Sequence, residues 1–505
     1  MAISNSVGSE RVSRIVGYTI TKGNFSNSTP NLPQRIAILG EANTANQGTL
    51  STVAQEITTA QQAGVLYGYG SPIYNMMRIL RPTTGGGIGG IPTIVYPQAA
   101  AGGSTAAARD ITPVGTATAN GTHTMIINGR GSVDGQKYDF VVANGDTPVL
   151  IVAKMITAVN NVLGSPVIGT DGTGKIVLTA KWTGLTSEEL DITVDTNGAS
   201  LGVTYGVVSS ATGAGSPSIT ASLTSFGEDW NTVVVNPYGS VAFDDLEAYN
   251  GIPDPTVPTG RYQGVIMKPF VALYGDRTDD PSVLTDARKI QVTNASCPAP
   301  LSKGFDMEAA ANMATLFARV AQDTPHLDVN ALTYSDMPIP SDGNIGSMVA
   351  YDFRDSIVKK GSSTVTLSSG RYKIEDFITT YHPDGELPPQ FRYCRNLMLD
   401  FNVRFTYYLL EQINVVDKTI AADDDIISVT GVIKPKIWKQ IVDNMAVDLG
   451  KRALVADVAF MQESIDVDIS AINPDRLDTF FKYKRTGVAR IASTTAQAGF
   501  NFGSL

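Results

Sequence analysis

Alternation of apolar and polar side chains marks both ends of this chain. Near the start, Val12, Val16, Tyr18 and Ile20 fall at even positions, with mostly polar or small residues between them. The closing stretch FFKYKRTGVARIASTTAQAGFNFGSL returns to the same period, which predicts strands at both termini. No turn leads from either stretch to a nearby partner, so both are predicted to be strands without local partners.

Between the termini, the patterns predict a mixed α/β fold. LPQRIAILG (32–40) is typical of a short buried strand and 51–67 of a helix, while Ser71 and Pro72 suit the start of a second helix. In the stretch 98–225, Thr, Ala, Gly and Ser dominate and short strand-like pieces follow one another. After it, strands and helices alternate again. The chain is therefore predicted to carry a β-rich domain inserted into an α/β core.

A long helical pattern at 435–463 combines an apolar face with basic side chains. The predicted apolar face holds Ile437, Ile441, Met445 and Leu449. A set of basic residues accompanies it: Lys434, Lys436, Lys439, Lys451 and Arg452. Such a strip on an acidic protein fits a weak, reversible contact with an acidic partner, and an ordinary solvated helix face explains it equally well.

The stretch VIGTDGTGKIVLTA (167–180) comes close to the nucleotide-binding P-loop, G-x-x-x-x-G-K-[ST]. Its last position is Ile176, so the magnesium ligand is missing. A P-loop also opens a helix, whereas a strand pattern follows here. TDGTGK is therefore interpreted as the turn of a β-hairpin, with Asp171 and Gly172 supplying the positive φ angles.

Composition and charge narrow the possible functions. The chain has 505 residues, 17% of them charged, and a formal net charge of -10, which argues against a general nucleic-acid binder. Cys297 and Cys394 give no disulfide framework. No apolar run reaches about 18 residues, so no membrane-spanning helix is expected. The first residues, MAISNSVGSERVSR, lack the apolar core of a signal peptide.

Residue types that could carry catalysis or hold a metal ion are scattered. His123, His326 and His382 have no His or Cys at ligand spacing and are expected in loops or at the surface. Asp423-Asp424-Asp425 lacks the EF-hand pattern and is interpreted as a solvated loop. No G-x-S-x-G nucleophile elbow occurs. We therefore expect no enzyme activity, no metal and no cofactor.

Segments spread along the chain resemble the tail sheath proteins of contractile bacteriophages. They are NLPQRIAILGEAN (31–43), AGVLYGYGSPIYNMMRIL (63–80), NPYGSVAFDDLEAYN (236–250), RYQGVIM (261–267), SMVAYDFRDSIVKKG (347–361), QFRYCRNLMLDFNVRFTYYLLEQ (390–412) and the terminal FFKYKRTGVARIA. The resemblance covers roughly 30–97 and 226–495, whereas the predicted insert matches poorly. The resemblance rests on the order and length of the whole set of segments, and no single motif is sufficient for it.

The resemblance implies a fold class and a division into domains. The fold class is α/β (α+β) multidomain. The implied parts are an N-terminal arm (1–25), a split α/β core (26–97 and 226–350), an inserted β-rich outer domain (98–225), a C-terminal α/β inner domain that faces a tail tube (351–483) and a C-terminal arm (484–505).

The resemblance also implies partners and a mechanical function. Subunits would form a homo-oligomer of stacked sixfold rings around the tail tube, together with baseplate and tail terminator proteins, and without direct nucleic-acid or integral membrane contact. Contraction would drive the tube through the bacterial envelope for genome ejection. The protein would be part of the virion and would assemble in the host cytoplasm.

Two sets of residues receive implied roles. The arms would pair with strands of neighbouring subunits, and the apolar residues that would do so are Val12, Ile15, Val16, Tyr18, Ile20, Val488, Ile491, Phe500 and Phe502. The basic strip would meet the tube. Two alternatives stay open: the sheath of a phage-like bacteriocin or secretion system, and a non-contractile structural or adhesive binding protein.

Overall fold

The computed structural model describes residues 30–340, 343–386 and 388–499. The first part of the fold alternates strands and helices. In chain order they are β1 (Ile36–Glu41), β2 (Gln55–Glu56), α1 (Ala60–Tyr67), α2 (Pro72–Leu80) and β3 (Thr93–Gln98). Helix α2 begins as predicted, because the Ser71 side chain accepts a hydrogen bond from the backbone N–H of Tyr74 and Pro72 occupies the first turn.

The stretch that follows is rich in strands and contains one long helix. Its elements are β4 (Ala108–Val114), β5 (Gly121–Ile127), β6 (Ser132–Val133), β7 (Gln136–Lys137), β8 (Asp139–Val142), α3 (Pro148–Asn160), β9 (Val167–Asp171), β10 (Ile176–Ala180), β11 (Ile192–Asp195) and β12 (Thr204–Ala211). They form a four-stranded sheet in the order β12-β4-β10-β9 and a three-stranded sheet in the order β11-β5-β8. Ile111, Met125 and Met155 belong to an apolar cluster of this stretch alone.

Strands and helices alternate again in the next part. They are α4 (Thr220–Thr224), β13 (Val233–Val235), α5 (Phe243–Asn250), β14 (Val271–Asp276), α6 (Ser282–Thr285), β15 (Asn294–Pro298), α7 (Asp306–Asp323), α8 (Tyr351–Lys359), β16 (Thr364–Ser368) and β17 (Arg371–Asp376). Strand β13 pairs in parallel with β1, at Ile36 and Val233. The chain therefore leaves one sheet after β3 and returns to it with β13; the domain limits 98 and 225 remain predictions.

A six-stranded sheet in the order β15-β14-β13-β1-β3-β2 is the centre of the α/β core. Its neighbouring strands are parallel, except that β2 runs antiparallel to β3. Every residue of β1 is buried, and Ile36 and Ile38 pack into one apolar cluster while Ala37 and Leu39 pack into another. This arrangement explains the unbroken apolar run IAIL, because a parallel strand covered on both faces needs apolar side chains on both.

The last part of the chain packs two long helices and several short strand pairs. Its elements are α9 (Cys394–Asn414), β18 (Thr419–Ile420), β19 (Val432–Ile433), α10 (Pro435–Lys451), β20 (Val455–Ala456), α11 (Val458–Glu463), β21 (Asp466–Ile469), β22 (Leu477–Phe480) and β23 (Lys484–Arg485). Trp438 is buried in the apolar cluster between α9 and α10.

Two expectations about local structure are wrong. The helix expected at 51–67 starts only at Ala60, because Gln55–Glu56 pairs with β3 as a strand. The 167–180 stretch is the predicted hairpin, but its positive φ angles belong to Thr173 and Gly174 and not to Asp171 and Gly172. The hairpin turn is therefore displaced by two residues, and the backbone N–H of Gly172 donates to the carbonyl of Lys175.

The apolar face of α10 is rotated relative to its prediction. Trp438, Val442, Met445 and Leu449 are buried, whereas Ile437 is 46% exposed. The sequence pattern allows both faces, and Trp438 decides between them because its large side chain packs against Tyr407 of α9. Met445 and Leu449 lie on the predicted face and on the observed one.

Two histidines expected in loops or at the surface are buried. His123 lies on β5, with Nδ1 2.6 Å from the Tyr205 hydroxyl and Nε2 2.9 Å from the Ala199 carbonyl oxygen. His382 has its Nδ1 2.7 Å from the Thr380 carbonyl oxygen. Both rings are therefore parts of the packed interior.

Candidate functional site

The C-terminal segment is attached to its own chain at the residues where the predicted arm begins. Lys484 and Arg485 pair with Ala456 and Val455 as an antiparallel strand, and β22 pairs with β21. The prediction that the strands at this end lack a local partner is therefore wrong for these short strands.

Arg485 is the first anchor of this segment. Its Nε and one terminal nitrogen donate to the two carboxylate oxygens of Asp400 at 2.7 and 2.6 Å. The guanidinium also lies 5.1 Å from the centre of the Phe391 ring. Burial lowers the pKa of Arg485, but the hydrogen bonds and the charge of Asp400, together with Tyr483 and Tyr262, outweigh burial, so the net pKa is raised. A two-point, half-buried ion pair of this kind fixes the direction of the backbone.

Arg490 is the second anchor. Its guanidinium pairs with Asp328 and lies 3.2 Å from a carboxylate oxygen of Asp376, and it sits 3.8 Å from the centre of the Tyr393 ring. The Asp328 side chain is only 3% exposed. Burial raises the pKa of Asp376, and the charge of Arg490 opposes that effect. Because the Asp328 side chain is so deeply buried, Arg490 supplies the opposite charge that offsets its loss of contact with water.

Thr486 adds a third attachment between the two arginines. Its carbonyl oxygen and its hydroxyl accept hydrogen bonds from Arg395 at 2.6 and 2.8 Å, and its hydroxyl donates to the carbonyl of Ala453 at 2.6 Å. The segment 484–490 is thus held to α9 and to the turn after α10. An open groove of about 640 Å³ runs between residues 388–396 and 483–491.

Beyond Arg490 the described chain has no regular secondary structure and is exposed. Ile491 is 89% exposed, and every residue from Ile491 to Gly499 is exposed. Val488, which precedes Arg490, is 36% exposed. The other predicted arm residues, Val12, Ile15, Val16, Tyr18, Ile20, Phe500 and Phe502, lie outside the described residues.

The predicted basic strip divides into two parts. Lys434 and Arg452 bond within the chain: the Lys434 ammonium donates to the carbonyls of Asp423 and Asp425, and Arg452 donates to Asn31 at 2.7 Å and lies 3.3 Å from Asp448. Lys436, Lys439 and Lys451 are exposed on α10. Those three side chains are the part that remains available to a partner.

Outside these surfaces, the other features that could indicate a function are metal-binding groups, reactive cysteines and membrane-spanning helices. Within residues 30–340, 343–386 and 388–499, no group of three or more His, Cys, Asp or Glu side chains is placed to hold a metal ion. Cys297 and Cys394 are free and buried, and burial raises the pKa of both thiols. In the same described part, no helix combines the length and apolar character needed to span a membrane.

The sequence did not reveal the partners that fix the arm. Asp328, Asp376 and Asp400 are far from the arm along the chain, and no local pattern connects an aspartate at 328 with an arginine at 490. Ile491 was assigned to the arm from the resemblance to tail sheath proteins and not from a local pattern.

Comparison with known proteins gives one relative that matches nearly the whole chain. The chain is 22% identical over 436 residues to the Mu-like prophage FluMu tail sheath protein of Haemophilus influenzae, covering 84% of this chain and 85% of that one. No family model matches the chain. The sheath tail protein of Desulfitobacterium hafniense and the contracted helical sheath of the anti-feeding prophage are solved structures with 11% identity and TM-scores of 0.44, covering 93% and 97% of this chain and 100% of each of theirs.

The relative found by this comparison is a tail sheath protein, which is a structural protein and not an enzyme. More particularly, the chain is similar to phage tail sheath proteins, so the resemblance inferred from its sequence is confirmed. The mixed α/β fold class is confirmed as well.

Proposed function

We propose that this chain is the sheath subunit of a contractile tail, a component of the virion that assembles in the host cytoplasm. Subunits stack as sixfold rings around a tail tube, between baseplate and tail terminator proteins. Contraction of the stack drives the tube through the bacterial envelope and leads to genome ejection. The similarity to a tail sheath protein over 84% of the chain supports this assignment.

The assembly part of the proposal rests on one observation: the attachment of the C-terminal segment to its own chain ends at Arg490. Up to this residue the segment is bonded to its own chain, and after it Ile491 projects into solvent. Such an exposed segment would supply backbone hydrogen bonds and the Ile491 side chain to the sheet of a neighbour. The arms, 1–25 and the end of the chain, would keep subunits connected while rigid bodies rotate between two packings.

The division into inner and outer parts belongs to the same proposal. The inner domain at 351–483 faces the tube and carries the exposed lysines of α10, while the inserted domain at 98–225 faces outward. No nucleotide is needed, because contraction releases free energy through new contacts between subunits.

Electron microscopy of the purified chain tests the proposal. Hollow striated cylinders wider than a bare tail tube are expected from the chain alone or from the chain co-expressed with its tube protein. Absence of cylinders under both conditions, with the chain folded, would overturn the sheath function.

A further inference from the structure

A cleft of about 710 Å³ lies where the inserted segment meets the end of the central strand β1. We name it the Lys181 cleft. The core contributes Asn43 and Thr44, which follow β1, and part of α1, while the inserted segment contributes the turn after α3 and parts of β9 and β10. Small-molecule sites in proteins have volumes of about 300–1,000 Å³, so the cleft is of the size that such a ligand requires.

The position of the Lys181 cleft in the fold is one that ligands favour. From β1 the chain crosses to β3 on one side of the sheet, whereas β13, β14 and β15 follow on the other side. Open α/β sheets bind ligands outside the carboxyl ends of their strands where the strand order reverses in this way, because the connections there diverge and leave a crevice. The cleft lies at the carboxyl end of β1, the strand at which the order reverses.

The walls of the Lys181 cleft carry apolar side chains that the fold leaves in contact with water. Val65 on α1 is 70% exposed, Leu163 after α3 is 55% exposed and Ile168 on β9 is 48% exposed. The three residues come from separate elements but line the same cleft. One apolar ligand could therefore cover all of them at once, and because the walls are already in place, no rearrangement of the fold would oppose its binding.

Lys181 is the one charged residue among the described residues that line the cleft. Its ammonium nitrogen lies 3.4 Å from the Tyr69 carbonyl oxygen and 3.3 Å from the Leu163 carbonyl oxygen. Both distances exceed the range of about 2.7–3.2 Å that N–H···O hydrogen bonds prefer. The Tyr69 carbonyl also accepts a hydrogen bond from the Asn43 amide at 2.9 Å. The ammonium is thus held only by two long contacts to neutral groups.

The charge of Lys181 determines which ligand fits the cleft. Burial lowers the pKa of Lys181 to about 8, and in the described part of the chain no carboxylate charge opposes that effect. The ammonium has therefore lost water without gaining a counter-charge, and an anion placed beside it would supply that charge. A phosphate monoester would bring nearly two negative charges to this single cation. A carboxylate brings one, and it is the head group that matches.

We propose that the Lys181 cleft binds a small apolar carboxylate, whose carboxylate group pairs with the Lys181 ammonium and whose hydrocarbon body covers Val65, Leu163 and Ile168. Such a ligand would contact the core and the inserted segment together. The inference goes beyond the proposed sheath function and does not depend on it.

Calorimetric titration of the full-length wild-type chain with sodium octanoate and with 1-octanol tests the inference. The two probes have hydrocarbon chains of similar length and differ in the charge of the head group. One octanoate is expected to bind per chain in a saturable manner, about tenfold or more tightly than octanol, since hydrogen bonds to charged groups are the stronger ones. No saturable binding of octanoate, or an affinity for octanol that equals or exceeds it, would overturn the inference.

Variants of Lys181 separate the charge from the shape of the cleft. Lys181→Met keeps an unbranched apolar side chain but removes the ammonium, so the affinity for octanoate is expected to fall about tenfold or more while that for octanol changes little. Lys181→Arg keeps the charge and is expected to bind octanoate. Lys137→Met is the matched control, because the Lys137 side chain is 73% exposed on β7, and it is expected to bind octanoate like wild type.

A variant of the wall tests the place of binding. Ile168→Trp puts a larger side chain into the cleft and is expected to weaken the binding of both probes. Thermal unfolding at the wild-type midpoint shows that each variant is folded. Wild-type affinity for octanoate in folded Lys181→Met, or wild-type affinity for both probes in folded Ile168→Trp, would show that the ligand does not occupy this cleft.

Discussion

Glu41 closes the central strand β1 with a carboxyl group that is buried against the inserted segment. Its side chain lies near Gly184 and Thr186 of that segment and is 1% exposed as a residue. Burial raises the pKa of Glu41 from 4.5 to about 8, and the Thr186 side chain offsets only part of this effect. The carboxyl group is therefore held in its neutral form at neutral pH, and charging it disfavours the folded state.

Stability is expected to depend on pH through Glu41. The folded state holds this proton more tightly than the unfolded state, so the free energy of unfolding falls as the pH rises from about 4.5 to about 8, by about 1.4 kcal/mol per pKa unit of difference. Glu41→Gln lacks this loss and is expected to be more stable than wild type at pH 8.5, with little difference at pH 4.5. Urea unfolding at both pH values measures it, with Glu56→Gln, an exposed carboxyl, as control. Equal pH slopes for wild type and Glu41→Gln would contradict the prediction.

Arg490 is expected to contribute to the stability of the fold, although it lies near the end of the chain. Arg490→Ala leaves Asp328 as an unpaired buried charge, a change that costs about 3–5 kcal/mol. We expect a lower free energy of unfolding and faster amide hydrogen exchange at 486–490. Arg476→Ala serves as control, because Arg476 is 62% exposed and pairs with the exposed Asp478, and such a pair is worth about 1 kcal/mol or less. Unchanged exchange at 486–490 would show that Arg490 is no anchor.

At the scale of the element, sequence reasoning succeeded where the signal is local. Ser71 and Pro72 start a helix through contacts within one turn, and the hairpin at 167–180 was distinguished from a P-loop by the strand pattern after Ile176. Sequence reasoning failed where residues distant along the chain determine the local structure. Trp438 rotates the face of α10 by packing on α9. Strand β23 pairs with β20, although α11, β21 and β22 lie between them along the chain.

For the candidate site as well, sequence reasoning succeeded for some residues and failed for others. Charge counting predicted the basic strip, whereas Ile491 was assigned to the arm from the resemblance to tail sheath proteins. The structure then shows that Lys434 and Arg452 are bonded within the chain, which no pattern of spacing could reveal.

The arm itself is expected to begin after Arg490. A chain that ends at Arg490 keeps both arginine anchors, so its free energy of unfolding should match wild type while it fails to form cylinders. A chain that lacks 486–505 should fail to form cylinders and should also lose stability, because Arg490 and Thr486 are gone. Thermal unfolding and electron microscopy of both truncations distinguish these effects. Cylinders from the chain that ends at Arg490 would show that 491–505 is not needed for assembly, and deletion of 1–20 tests the other arm in the same way.

At the scale of the whole molecule, a charged junction joins the inserted segment to the core. Arg130 of the inserted segment lies 2.8 Å from Glu308 and 3.4 Å from Asp336, and Arg78 of the core lies 2.8 Å from Glu308 and 2.5 Å from Asp336. The Glu308 side chain is only 2% exposed. It also accepts from the backbone N–H of Phe305 and so closes the first turn of α7. The two parts therefore share one buried ionic centre and should move as a single body.

This coupling is expected to appear in unfolding. Arg130→Met keeps the bulk of the side chain but removes one of the two cations beside Glu308, and breaking such a buried network costs about 3–5 kcal/mol. In calorimetry, the single transition expected for wild type should split, because the inserted segment has an apolar cluster of its own and can unfold separately once the junction is weakened. Lys303→Met is the matched control at the same junction: Lys303 lies 3.0 Å from Asp191 but its side chain is 58% exposed, so about 1 kcal/mol or less is expected. A single transition at the wild-type midpoint for Arg130→Met would mean that apolar contacts, and not this ionic centre, hold the two parts together.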